Sequence, residues 1–216
     1  MLFRSIDGTK AVFDAQNLTT RQINLELRWL INEQGIEEVT VQNPGAKHSL
    51  GVGILTRCKI NFEGSLGYFA CGIIDGPEVH VTGRVGWSAC ENMMSGVVVV
   101  DGNASARCGI SMKGVEIVVK GDIGHMSAFM AQSGALVVCG DAGDALGDSI
   151  YETHIYVRGS VKGLGADCIE KEMRDEHVEQ VRALLAAAEI DADPGEFRDR
   201  KSTRLNSSHP SRSYAV

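Results

Sequence analysis

From Lys59 onward, apolar and polar positions alternate in short runs that each end at a glycine: KINFEG, EVHVTG, VVVVDG, EIVVKG, ALVVCG and HIYVRG. Two positions before the glycine stand Phe62, Val81, Val100, Val119, Val138 and Val157, and four before it stand Ile60, Val79, Val98, Ile117, Leu136 and Ile155. Both columns are wholly apolar, which is the period-2 signature of strands with one buried face. The residue just before the glycine is Glu63, Thr82, Asp101, Lys120, Cys139 or Arg158, a mostly polar column predicted to face outward. The glycines Gly45, Gly64, Gly83, Gly102, Gly121, Gly140 and Gly159 recur at an unbroken 19-residue step. A second glycine follows three residues later at Gly67, Gly86, Gly124 and Gly143. The resulting GSLG, GRVG, GDIG and GDAG read as tight corners needing φ > 0. Ten residues past the anchors, Ile74, Met93, Met112, Ala131, Ile150 and Ile169 form a third predicted inward column.

A 19-residue unit of this kind cannot bury its apolar face alone, whereas stacked units can. The pattern predicts an all-β fold. It is a single-stranded, right-handed parallel β-helix of about seven 19-residue coils, flanked by short α-helices. A hexapeptide solenoid does not divide into this period, and the helix and L-x-x-L-x-L pattern of leucine-rich repeats are missing. Thr19-Thr20-Arg21-Gln22 resembles a capping box that opens a helix running to about Gln34, stopped by Gly35, with Ile23, Leu27, Leu30 and Ile31 as its apolar stripe. Asp175 and Glu176 open a second helical pattern, with Val178, Val181, Leu184 and Leu185 on one face, ended by Pro194-Gly195. The chain therefore divides into an N-terminal segment with a capping helix (1–38), the β-helix (39–173), a C-terminal helix (174–198) and a tail (199–216).

Composition changes the picture mainly at that tail. The segment RDRKSTRLNSSHPSRSYAV breaks with what precedes it, and Asp199 to His209 can be reverse-translated, in register, into a common sequencing-library adapter. It is accordingly set aside from fold reasoning as non-native, and the native chain is expected to continue differently after about Arg198. Net charge is −7 for the whole chain. This argues against nucleic acid or an anionic membrane surface as partner. No signal segment and no long apolar run is present, so a cytoplasmic protein is expected.

Candidate chemistry is sparse. The six cysteines, Cys58, Cys71, Cys90, Cys108, Cys139 and Cys168, contain no C-x-x-C pair and suggest neither a zinc site nor a disulfide framework. Cys71 and Cys90 share a repeat phase, with Cys108 one step off. Packing is the preferred reading over iron–sulfur ligation. Gly51-x-Gly53 and Gly163-x-Gly165 open no βαβ helix and read as coil corners, not dinucleotide fingerprints. The acidic run Gly140–Asp148 lacks the calcium-repeat pattern, and His125 and His154 stand isolated in sequence. No catalytic, cofactor-binding or metal-binding residue is assigned. Nor does the 19-residue step leave room for the long loops that build the acidic groove of carbohydrate-cleaving β-helices. One outward column, three before the anchors, turns apolar at Val99, Val118 and Val137, which predicts a covered surface. Either a partner or the chain's own Val178–Leu185 helix is the cover.

The blocks ENMMSG, GHMSAFMAQSG and GDAGDALGDS, within about Val39 to Met173, resemble the GXGXG domain of glutamate synthase. More closely, they are similar to the stand-alone GXGXG subunit of glutamate-synthase-like complexes such as N-methylglutamate synthase (methylamine–glutamate N-methyltransferase). That resemblance implies a structural subunit of a glutamate- or N-methylglutamate-forming enzyme. Its partners would be a glutamine-amidotransferase-like subunit and a synthase-like subunit holding FMN and an iron–sulfur cluster. No cofactor would be held in this chain. Related chains carry one more coil, so this copy is expected to be shortened around Asn103 to Arg107. The alternative is a self-contained β-helix binding module, or a subunit of a formylmethanofuran-dehydrogenase-like oxidoreductase.

Overall fold

The computed structural model describes residues 4–203. Its spine is one eleven-stranded sheet in the order β1-β2-β3-β4-β5-β6-β7-β8-β9-β11-β10. The strands are β1 Arg4–Asp7, β2 Lys10–Asp14, β3 Glu38–Gln42, β4 Lys59–Glu63, β5 Asp75–Val81, β6 Ser95–Val100, β7 Lys113–Val119, β8 Ser133–Val138, β9 His154–Val157, β10 Cys168–Lys171 and β11 Arg198–Ser202. From β2 to β9 every neighbour is parallel. The chain is thus a parallel β-solenoid, as the alternation predicts. Glu38 pairs with Lys59, and five further steps of 19 residues lead to His154. Seven glycine anchors therefore bound six turns, not seven coils. The first turn carries two extra residues: Gly45 stands four past Val41, whereas Gly64 stands two past Phe62, the pairing partner of Val41.

The two strand columns are fully interior, none more than 4% exposed, and Val39, Val41, Ala11 and Phe13 extend them by two strands. The third column is interior from Ile74 to Ile150. It fails at Ile169, which is 40% exposed. There β10 leaves the parallel stack and pairs antiparallel with β11, so Cys168 takes the inward place instead.

The corner glycines are needed for close approach more than for a left-handed backbone. Among the anchors, Gly45 and Gly64 have positive φ, while the five that follow do not, nor do Gly67, Gly86, Gly124 and Gly143. A Cβ on Gly102 would stand 2.8 Å from Gly83 O, and one on Gly140 2.7 Å from the carbonyl carbon of Gly121, so successive coils touch backbone to backbone. Beyond this contact, Leu66, Val85, Ala104, Ile123, Ala142 and Val161 are joined by single parallel bridges into a second wall. A side-chain ladder locks it. Ser65 Oγ accepts from Arg84 N (3.1 Å), Asn103 Oδ1 from Asp122 N (3.0 Å), Asp122 Oδ1 from Asp141 N (2.8 Å) and Asp141 Oδ1 from Ser160 N (2.7 Å).

Left-handed backbone is concentrated in the third wall. Each of six coils places three residues at φ between 53 and 70°, at alternate positions: Ser49/Gly51/Gly53, Phe69/Cys71/Ile73, Ser88/Cys90/Asn92, Arg107/Gly109/Ser111, Met126/Ala128/Met130 and Ala145/Gly147/Ser149. Their N–H groups bond in alternate directions along the stack. Phe69 and Ile73 donate forward to Trp87 O and Glu91 O (2.8 and 2.9 Å), and Cys71 donates back to Leu50 O (2.9 Å). These bonds are what hold side-chain-bearing residues in a region that costs roughly 1–2 kcal/mol per residue.

Both ends are closed. Helix α1, Thr20–Arg28, begins at the predicted Thr19/Gln22 capping box and runs on through a π-turn, Trp29–Glu33, to Gly35 at φ +66. Its polar side chains replace a missing coil: Asn24 Oδ1 accepts from Gly51 N (2.9 Å) and Arg28 Nη2 donates to Val52 O (2.9 Å). Helix α2 spans Asp175–Ala187. Strand β11 then inserts between β9 and β10, antiparallel to both. Four of its five residues, Asp199 to Ser202, belong to the adapter-like tail set aside from the fold. They enter because a sheet edge bonds to backbone, whatever side chains it carries. The rest of that tail, from residue 204, lies outside the described residues.

Candidate functional site

Helix α2 lies across the sheet wall of the solenoid and divides it. Val118, Val137 and Tyr156 point outward and are fully buried, packed in one apolar cluster with Val181, Leu184, Leu185, Ala188 and Phe197. Val99 packs against the same cluster. The predicted covered stripe is thus covered by the chain's own helix, which removes the reading that a partner covers it. Tyr156 donates its hydroxyl to Gln180 of α2 (2.8 Å), and burial raises its pKa.

Beside the C-terminal end of α2 the wall stays open. A cavity of about 250 Å3 lies over Val97 and Val99, flanked by Lys59, Glu78, His80 and Lys120. Asp101 joins the last two: its carboxylate is 3.0 Å from His80 Nε2 and 2.7 Å from Lys120 Nζ. Burial raises the Asp101 pKa, but these two partners outweigh it and hold the group below the usual carboxylate range. The arrangement is a neutralised surface network, with no nucleophile beside a base.

Under α2, His154 is not isolated. Its Nδ1 lies 3.0 Å from Asp199 Oδ2, its ring is 4.8 Å from that of His177, and the three residues are within metal-ligating reach of one another. Burial lowers the His177 pKa. The carboxylate of this trio comes from the adapter-like segment, so the sequence missed the cluster by excluding that segment. His125 is exposed.

Five of the six cysteines are buried, and Cys58 is half-buried. Cys71, Cys90 and Cys108 are each no more than 1% exposed, and Cys90 shares a hydrogen bond with Cys108. Burial pushes Cys71 up to about 12. Cys71 and Cys90, both raised, stay protonated and unreactive at neutral pH. Gly51 and Gly53 are left-handed positions of the third wall, and Gly163 and Gly165 sit where a Cβ would meet Asp144 and Asp148 of the preceding coil.

A scan against protein-family models finds no match. Among curated proteins, Protein GlxC of Rhizobium meliloti (strain 1021) is 47% identical over 215 residues, covering 89% of this chain and 93% of that protein. The chain belongs to the GlxC family. The alignment with GlxC is longer than the portion of this chain it covers: 89% of 216 residues is about 192, against 215 aligned positions. About 23 of the aligned positions therefore fall opposite gaps in this chain. Among the described residues no helix is long and apolar enough to cross a membrane.

Proposed function

We propose that this GlxC-family chain is the structural subunit of a glutamate-synthase-like multi-subunit enzyme. The amidotransferase chemistry and the FMN and iron–sulfur chemistry would belong to separate partner subunits. The observation that carries the reading is the third wall. Glycine-favouring backbone at positions i, i+2 and i+4, repeated in six coils, has the spacing of a G-x-G-x-G motif, with glycine itself at Gly51, Gly53, Gly109 and Gly147. It falls in the segment whose blocks GHMSAFMAQSG and GDAGDALGDS resemble the glutamate synthase GXGXG domain. The interior supports the reading too, since Cys71 and Cys90 are buried with raised pKa values and the strand columns are filled by apolar side chains.

The nitrogen donor, ammonia or methylamine, would be chosen in the flavin subunit, where the nitrogen meets the substrate. Affinity purification of this chain at native abundance tests the proposal. Co-elution of an amidotransferase-like subunit and a flavoprotein is expected, with the visible spectrum belonging to the complex. Elution of the chain alone, or a flavin or iron–sulfur spectrum on the isolated chain, would sink it and favour a self-contained module.

A further inference from the structure

A scaffold needs a face for its partners, and α2 already closes much of the sheet wall. The second wall is open. Leu66, Val85, Ala104 and Ile123, each 3–5% exposed, form the floor of a trough of about 600 Å3 that runs across successive coils. The residues that flank it differ in chemistry from one end of the stack to the other.

One end is aromatic. His48, Tyr68 and Trp87 stack in register, at 4.4 Å and 11° for the first pair and 5.4 Å and 18° for the second. Tyr68 is 50% exposed and Trp87 56%. The rings lie flat on the backbone because the second corner glycine leaves room. A Cβ on Gly86 would stand 2.9 Å from the Tyr68 ring, and one on Gly67 would strike His48. The other end is acidic. Asp122 and Asp141 stand one residue past successive anchor glycines, Asp144 stands four past, in the column of Tyr68 and Trp87, and among the described residues none of the three is in an ion pair. Arg84 is the one cation lining the trough.

We propose that this trough docks an extended segment of a partner subunit. That segment is apolar or aromatic where it meets Tyr68 and Trp87, and carries lysine or arginine where it meets Asp122 to Asp144. Preformed exposed aromatic rings are the kind of group that dominates interface energy, and uncompensated carboxylates select a cationic partner and speed its approach. The inference rests on the scaffold reading above and names the face that reading uses.

The test uses the full chain reconstituted with the amidotransferase-like and flavoprotein subunits of its own genome. A benzophenone amino acid is placed at position 87, and at position 25 on α1 as a control. Affinities are measured for Trp87→Ala and Asp144→Lys, with far-UV circular dichroism and thermal midpoint confirming an intact fold. Cross-linking from position 87 to a lysine- or arginine-bearing segment of a partner is expected. So is at least tenfold weaker assembly for each variant, with a flatter salt dependence for Asp144→Lys. The inference is overturned by a complex that cross-links only from position 25, by unchanged affinity in both folded variants, or by cross-links only to a second copy of this chain. If the unaltered chain forms no complex at all, the scaffold reading fails first and takes the docking face with it.

Discussion

Gly140 and Arg107 show two opposite demands that one backbone makes on single residues. Gly140 has an ordinary φ, but any Cβ there would press on the Gly121 carbonyl carbon at 2.7 Å. Arg107 is exposed and sits at φ 65, a conformation that glycine adopts freely. Gly140→Ala is therefore expected to cost about 2–4 kcal/mol, since the coil must move to relieve the contact. Arg107→Gly is expected to be neutral or stabilising by up to about 1 kcal/mol, the relief of strain offsetting the entropy of the added glycine. Urea denaturation of both variants reads the contrast, and equal destabilisation would contradict it. Sequence reading located the glycines and misassigned their reason. Fixed spacing shows where the chain turns, but sterics between coils 19 residues apart are invisible in one coil's composition. The left-handed wall was missed for a related reason: Phe69, Ile73 and Met130 occupy it, and such residues carry no signal for positive φ.

The buried thiols give a pH prediction at the same scale. Cys71 has its pKa pushed up to about 12 from 9.0, and Cys90 is raised as well. The native state keeps these protons after the unfolded chain has lost its own. Stability is therefore full below pH 9 and falls as pH rises toward 12, by up to about 1.4 kcal/mol per pH unit for each thiol. Replacing Cys71 with alanine should flatten that decline, measured by denaturation between pH 8 and 11. An unchanged slope would count against the protonated native thiol.

At the scale of elements, α2 carries the tightest constraint. Val181, Leu184 and Leu185 bury their side chains against outward residues of β7, β8 and β9. Leu184→Ala should cost about 2–5 kcal/mol, whereas Leu25→Ala, on the exposed side of α1, should stay within about 0.5 kcal/mol. Thermal midpoints of the two variants separate these outcomes. The apolar stripe announced that something lies on it, because outward valines in three successive strands are unfavourable in water. The stripe did not say what the cover was, since two helical patterns and an external partner all supply apolar faces. Likewise β1 and β2 were unread because α1 is inserted between Phe13 and its partner Val41, which breaks the period. Strand β11 was unread because four of its five residues fall in the segment set aside from the fold.

For the whole molecule, the repeat made the solenoid legible and left its use open. One wall is partly covered by α2, the interior is filled by apolar side chains and buried thiols, and one wall is open with an aromatic and an acidic end. Such a body has surfaces to offer, and among the described residues no nucleophile stands beside a base. The account's central claim is that this chain organises chemistry carried by other subunits. Glutamine-dependent turnover by the amidotransferase-like and flavoprotein subunits, measured with and without added chain, tests it most directly. The account predicts that turnover rises to a plateau at a fixed stoichiometry of this chain, while the chain alone shows neither turnover nor visible absorbance. Full activity of the other two subunits without it, or turnover by the chain alone, would contradict the claim.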